Sequence, residues 1–235
     1  MYMRILRFDE LDSTNAYAKR NCSLLADQTV IRARRQTAGR GRLDRKWISQ
    51  EGGLYFSLLL KPQLTDFLPN LTQLMALCVC RTLRQLGAEA CLKWPNDVLV
   101  QRQKICGILS EAIFTKNNFE GLVLGVGLNL TQTDLASVGQ PATSLALLGI
   151  QPDEETLLQD ILKQFFDNYT VVLQNGFKVI QADYVRLFPY IGQTVHIQNG
   201  TQDVTAAVQT ISPEGKLVLK TPEGFIEISI GDMMV

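Results

Sequence analysis

Hydrophobic and polar positions follow two rhythms along this chain, and the change between them comes near residue 190. Residues 54–60 form a nearly continuous apolar run, which predicts a strand covered on both faces. In residues 69–86 the apolar positions Leu71, Leu74, Met75, Leu77, Cys78, Leu83 and Leu86 recur at helical spacing, and Gly87 ends the pattern. Residues 3–8 and 29–34 read as strands. Asp12-Ser13-Thr14-Asn15 supplies capping side chains for a helix over 16–20. Short strand pieces at 91–93 and 98–100 flank the turn Trp94-Pro95-Asn96-Asp97, and residues 104–114 and 119–128 read as neighbouring strands. A long helix is predicted over 153–173, with helical continuation through 177–188. From 192 to 235 the texture is strand-like alternation, punctuated by Asn199-Gly200, Pro213-Glu214-Gly215 and Pro222-Glu223-Gly224. The prediction is an α+β protein. Residues 1–189 form a mixed, largely antiparallel sheet flanked by helices, and residues 190–235 form a small SH3-like barrel of four or five strands that docks or supports.

Composition narrows the function. In 235 residues, 23 Lys and Arg balance 23 Asp and Glu, so the formal net charge is zero. A protein built mainly to hold nucleic acid carries a basic surplus. With 46% hydrophobic residues a full core can be buried. The five cysteines form no CxxC pair and there is one histidine, His196, so a zinc site is not expected and free thiols in a reducing cytoplasm are. No signal-like segment or 18-residue apolar run is present, which predicts a cytoplasmic protein without a membrane anchor.

Against that neutral background, seven of the Lys and Arg residues fall between Arg32 and Lys46. The stretch Gln36-Thr37-Ala38-Gly39-Arg40-Gly41-Arg42-Leu43-Asp44-Arg45-Lys46-Trp47 joins glycines that let backbone approach a ligand, guanidinium groups that fork onto phosphate or carboxylate, and an indole that can face a base. It reads as a loop able to close over an anion; apart from Leu43, nothing apolar between Arg40 and Lys46 would pin it without ligand. Three other polar elements stand out: Ser13-Thr14-Asn15, Lys93-Trp94-Pro95-Asn96-Asp97 followed by Lys104, and Gly125-Val126-Gly127-Leu128-Asn129. The last lacks the third glycine of a dinucleotide fingerprint, and no phosphate-loop Gly-Lys-Ser/Thr occurs. Trp94 reads as core, Lys93 as either an ion-pair member or a site residue, and Asp97 as either a working carboxylate or a turn aspartate.

Taken in order, Ser-Thr-Asn, Gln-x-Ala-Gly-Arg-Gly-Arg-x-x-Arg-Lys-Trp, Lys-Trp-Pro-Asn-Asp, Lys-x-x-Gly-Ile-Leu-x-Glu and Gly-x-Gly-x-Asn resemble the biotin–protein ligases, the biotin–[acetyl-CoA-carboxylase] ligases. The resemblance implies a class II synthetase-like catalytic domain and a two-step reaction. Biotin and ATP, with Mg2+ carried on the nucleotide, give biotinyl-5′-AMP; a lysine of a biotin carboxyl carrier protein then takes the biotinyl group. By motif, Ser13, Thr14, Asn15 and Gln36 would meet the ureido end of biotin, and Gly39 and Arg40 would line it from the loop. Gly107, with Ile108 and Leu109, would wall the valeryl chain. Arg42, Arg45 and Lys46 would face phosphate, Trp47 would pack beside adenine, and Asn129 would read its edge. Lys104 would contact the carboxyl and α-phosphate oxygens. Arg42, Lys104 and Asp97 are the catalytic candidates, Asp97 as orienter of the amine or as a water-mediated magnesium partner. Leu43-Asp44 departs from the Arg-Gly of the best-known bacterial loop and sets an acid beside the phosphate site. Only twelve residues precede Ser13, too few for a winged helix, so operator binding is not expected. A lipoate or octanoate transferase of related fold and a non-catalytic biotin-dependent regulator are the competing readings. Some related enzymes dimerise sheet edge to sheet edge, and the sequence leaves a homodimer open.

Overall fold

In the computed structural model, residues 4–43, 45–135, 138–198 and 203–234 are described. Asp44 and the Asn199-Gly200 turn lie outside them. Seven strands build the larger sheet: β1 (Ile5–Leu11), β2 (Thr29–Gln36), β3 (Gly53–Leu60), β4 (Ala90–Lys93), β5 (Asp97–Val100), β6 (Gln103–Thr115) and β7 (Asn118–Asn129), in the order β1-β2-β3-β7-β6-β5-β4. Among the described residues β1 and β2 make its parallel pair and the remaining neighbours are antiparallel. This is the mixed, largely antiparallel sheet expected. Every residue of β3 is buried, because helices cover both faces of the sheet centre.

On one face lies α1 (Thr14–Arg20), over a small cluster of Ala18, Cys22, Leu25, Ile31, Leu59 and Val123. On the other lies α2 (Leu68–Gln85), buried over most of its circumference and packed against α3 (Glu154–Asn175). Its solvent face is lost because α3 covers it, and a ladder of Phe165, Phe166 and Tyr169 rings lines α3 in the same region. Asp153 caps α3, accepting from Thr156 N at 2.8 Å. The helical continuation predicted beyond residue 173 is interrupted. Gly176 adopts φ +73°, where a Cβ would meet the Phe67 ring at 2.8 Å, and a 3-10 turn at Phe177–Val179 leads into the short α4 (Gln181–Arg186).

The C-terminal region forms a second, five-stranded antiparallel sheet: β8 (Thr194–Gln198), β9 (Asp203–Ile211), β10 (Leu217–Thr221), β11 (Gly224–Ile228) and β12 (Asp232–Met234), ordered β11-β10-β9-β8-β12. Its inward residues Val195, Ile197, Val208, Leu217 and Leu219 belong to the same apolar cluster as α2, α3 and the large sheet, so the two sheets share one core. Three side chains from the first region also reach the Pro213–Gly215 turn of the second. Gln73 Nε2 and Trp94 Nε1 both donate to the Gly215 carbonyl, at 2.7 and 3.0 Å, and Asn70 Nδ2 donates to Glu214 O at 3.1 Å. Trp94, 2% exposed, is therefore core, and its one polar atom is spent on holding the small sheet.

That carbonyl gives the first prediction. Gln73→Leu removes one donor at roughly constant volume and is expected to lower unfolding stability by about 0.5–1.5 kcal/mol, and Trp94→Phe, which also empties part of a buried ring site, by about 1–3 kcal/mol. Together they leave a buried carbonyl unpaired, so denaturant titration should show a loss larger than the sum of the two.

Candidate functional site

The centre of the large sheet is bare where β3, β7 and β6 run side by side. Pairing sets Ser57 opposite Gly125 and Gly107 opposite Gly127. A Cβ at Gly127 would lie 2.4 Å from the Trp47 indole, and one at Gly107 would lie 2.9 Å from the same ring and 3.1 Å from Lys104 Cε. At Gly125 it would lie 2.2 Å from Asn15 Oδ1. These glycines are spacers that let an indole and a carboxamide approach the sheet backbone. Over this floor opens a cavity of about 590 Å³.

One end of the cavity is neutral and polar. Ser13 is the N-cap of α1, its Oγ accepting from Ala16 N at 3.4 Å, which leaves Thr14 as the second hydroxyl at the helix start. Thr14 N donates to Gln36 Oε1 at 2.7 Å, and Gln36 Nε2 donates to Ser49 Oγ at 2.8 Å. Asn15 lines the cavity, but its Nδ2 is committed to Leu109 O at 3.2 Å and Glu111 Oε2 at 2.8 Å. Behind both stands Ser57, fully buried in β3 and within hydrogen-bond distance of Thr14 Oγ1 and Asn15 Oδ1. Ile108 and Leu109 of β6 form the adjoining wall.

The other end is charged. The loop from Gln36 to Ser49 doubles back as an irregular hairpin: Gln36 N donates to Ser49 O at 3.0 Å, Trp47 N to Gly39 O at 3.0 Å, and Gly41 N to Arg45 O at 2.7 Å. Leu43 is 71% exposed and pins nothing, so polar contacts do that work. Arg42 Nη1 donates to Asn96 Oδ1 at 3.2 Å and Gly231 O at 3.1 Å, and lies 3.3 Å from Asp232 Oδ1. Arg45 also pairs with Asp232. Trp47 lies over the glycine floor with the Lys104 ammonium 5.4 Å from its ring centroid, and its indole Nε1 is buried without an acceptor.

The turn after Trp94 carries Asn96 and Asp97. Asn96 clips itself to β6, Nδ2 donating to Ile108 O at 2.8 Å and its carbonyl accepting from Ile108 N at 3.0 Å. Asp97 does not stabilise its own turn. Its Oδ1 faces Lys104 Nζ at 2.8 Å, in an ion pair whose side chains are each 17% exposed. The Lys104 backbone is clamped as well, its N donating to Pro141 O at 2.9 Å and its carbonyl accepting from Thr143 N at 3.0 Å. Burial pushes Lys93 below the ordinary lysine range, opposed by the Asp97 charge and aided by Lys104. Burial also raises all five thiols, Cys78 and Cys80 to about 12, which favours the neutral form; four of them are buried and Cys91 is half-buried.

Ser13, Thr14, Asn15, Gln36, Arg40, Arg42, Arg45, Lys46, Trp47, Asp97, Lys104 and Gly107 thus line one cavity. Two expected residues do not. Gly39 packs inside the loop hairpin, where a Cβ would meet Trp47 O at 2.4 Å and Ser49 Oγ at 2.6 Å, and it lines a hollow on the loop's other side. Asn129 ends β7 outside the cavity wall, buried, with Nδ2 given to Thr143 O at 3.0 Å. Two residues that the motifs did not include are central. Ser57 could have been found as the one polar residue in an otherwise apolar run. Asp232 carried no sequence signal, since its partners lie about 190 residues away.

Residues 7–129 match the model of the Biotin/lipoate A/B protein ligase family, and residues 190–235 match the Biotin protein ligase C terminal domain. The chain is 31% identical to the bifunctional ligase/repressor BirA of Bacillus subtilis over 99% of its own length and 74% of that protein. It is 32% identical to the biotin–[acetyl-CoA-carboxylase] ligase of Mycobacterium tuberculosis, over 96% of this chain and 88% of that one. The structure of biotin protein ligase from Aquifex aeolicus in complex with biotin and ATP superposes with a TM-score of 0.88 at 33% identity, covering 98% of this chain and 97% of that chain.

The floor is testable without any ligand. Gly127→Ala puts a methyl where the Trp47 ring lies, so the ring must lift. The chain has two tryptophans, and Trp94 is buried elsewhere. The variant should therefore show red-shifted emission from Trp47, and an unshifted spectrum would count against the ring resting on this floor.

Proposed function

The chain belongs to the biotin/lipoate A/B protein ligase family, and on that premise we propose how its cavity activates biotin with ATP and hands it to a carrier lysine. The observation that carries the reading is the polarity of the single cavity. Neutral hydroxyl and amide groups gather at one end and cations at the other, and β6 joins them, with Gly107 beside Lys104 and the apolar Leu109 beside Asn15. A ureido ring, an apolar chain and a carboxylate meeting a phosphate would succeed one another in that order. The C-terminal match to biotin protein ligases favours biotin over lipoate as the acyl group, and a dithiolane ring would leave the polar end without partners.

In the first step a biotin carboxylate oxygen attacks the α-phosphorus of ATP, and pyrophosphate leaves. Two anions must approach, so fixed positive charge is the first requirement. Lys104 would supply it at the carboxyl and α-phosphate oxygens; its clamped backbone and its pairing with Asp97 hold the ammonium near that point. Arg42, Arg45 and Lys46 would take the phosphates, with Arg42 and Arg45 exchanging Asp232 for them. The unpaired Trp47 indole N–H would find an acceptor on the bound ligand. Magnesium would arrive with the nucleotide; among the described residues no group of three or more His, Cys, Asp or Glu side chains could hold a resident ion. Asp97 and Asp232, the carboxylates among the described residues that line the cavity, would be the ones to meet it through water.

In the second step the carrier lysine amine attacks the acyl carbon, an amide forms, and AMP leaves with the bonding pair. Asp97 would orient the amine once Lys104 has turned to the departing phosphate. The closed loop keeps water from the mixed anhydride meanwhile. The acceptor is a carrier domain of the acetyl-CoA-carboxylase type. Residues 1–189 would act as the catalytic unit, with 190–235 as its support.

Incubation with ATP, magnesium and either biotin or lipoate, followed by mass spectrometry, should yield biotinyl-AMP and no lipoyl-AMP. The opposite product would reverse the assignment. Arg42→Gly is expected to release biotinyl-AMP roughly ten- to a hundredfold faster, read by trapping the free adenylate. Lys104→Ala should slow adenylate formation by a similar factor with an unchanged melting temperature; wild-type turnover would remove Lys104 from the reaction.

A further inference from the structure

Which way the protons point at the neutral end of the cavity follows from its buried hydrogen bonds. Two groups of fixed polarity bracket the network. The Leu109 carbonyl can only accept, so the Asn15 atom 3.2 Å from it is the amide nitrogen, and the atom facing Ser57 is the carbonyl oxygen, at 2.5 Å. The Thr14 backbone N–H can only donate, so the Gln36 atom 2.7 Å from it is the oxygen. Asn15 Oδ1 has no proton, hence Ser57 must give it its own. Ser57 Oγ then meets Thr14 Oγ1, at 2.7 Å, only as an acceptor. The Thr14 hydroxyl proton has two acceptors, Ser57 Oγ and Gln36 Oε1 at 3.1 Å, and both belong to the protein.

We infer that Ser57 is a positioning residue that fixes Thr14 as a hydrogen-bond acceptor toward the ligand, so that the pocket selects a ring bearing N–H at that point. This deepens the biotin reading and rests on it. Thr14 lines the cavity and Ser57 does not, so Ser57 acts through Thr14. With its proton held inward, the Thr14 oxygen meets a ureido N–H favourably and an ether oxygen with lone pair against lone pair. A ligand able only to accept there is disfavoured because the Thr14 proton would have to leave both protein acceptors before it could donate. Ser57 is 0% exposed, which keeps water from replacing it in the chain.

The test is calorimetric, on the whole protein without nucleotide, with three probes: biotin and the two cyclic carbamates in which one or the other ureido N–H is replaced by oxygen. Wild type should bind at least one carbamate roughly tenfold or more weaker than biotin. In Ser57→Ala the Thr14 hydroxyl keeps only its longer contact, to Gln36 Oε1 at 3.1 Å, and turns more readily, so biotin should weaken by about 3–10-fold while that carbamate loses less or gains, and the ratio between them shrinks. Ser57→Cys, similar in size but a weak donor, should fall between the two and serves if the alanine variant melts early. A biotin-to-carbamate ratio within twofold of wild type in both variants overturns the role of Ser57. Failure of wild type to bind biotin at all overturns the functional reading instead.

Discussion

A flat ring can rest against a β-sheet only where the sheet offers no side chains. Gly107, Gly125 and Gly127, set across three central strands by the register of β3, β7 and β6, meet that condition, and the rest of the site depends on it. Trp47 lies down because two of them are empty, and its descent draws the basic loop over the cavity. Asn15 reaches Leu109 across the third. One added methyl would act through geometry, without changing any charge or hydrogen-bonding group.

Electrostatics then set the tone at the cavity's other end. The protein is neutral overall, and its cations are concentrated where the loop closes. Arg42 and Arg45 are not left to repel one another there. Asp232, from the last strand of the small sheet, sits between them at 15% side-chain exposure. A carboxylate so placed offsets the repulsion between the two guanidinium groups and ties the loop to the small sheet in the absence of ligand. An incoming phosphate would have to offer both guanidinium groups at least as much.

Much of this could be read from the chain. The apolar run at β3, the helical spacing of α2 and the alternation after residue 189 each announce their element, because burial imposes period and length directly. Motif residues such as Thr14, Gln36, Arg42, Trp47 and Lys104 gather into one cavity. What sequence withheld was whatever depends on register or distance. Gly127 is one glycine of a pair without a fingerprint until pairing sets it beside Gly107 and beneath an indole. Asn129 carries no sign in the sequence that its amide nitrogen is given to Thr143. Asp232 belongs to another sheet, and no local pattern links it to Arg42. Gly176 stops a helix for the sake of Phe67, a neighbour no periodicity reveals.

The Gly215 carbonyl, taking N–H groups from both Gln73 and Trp94, joins a surface turn of the small sheet to the residue that begins the Trp94–Asp97 bend. Asn96 and Asp97 follow within three positions, one gripping Arg42 and the other facing Lys104. Any tilt of the small sheet would therefore reach the reacting groups through rigid, short connections instead of through a flexible linker.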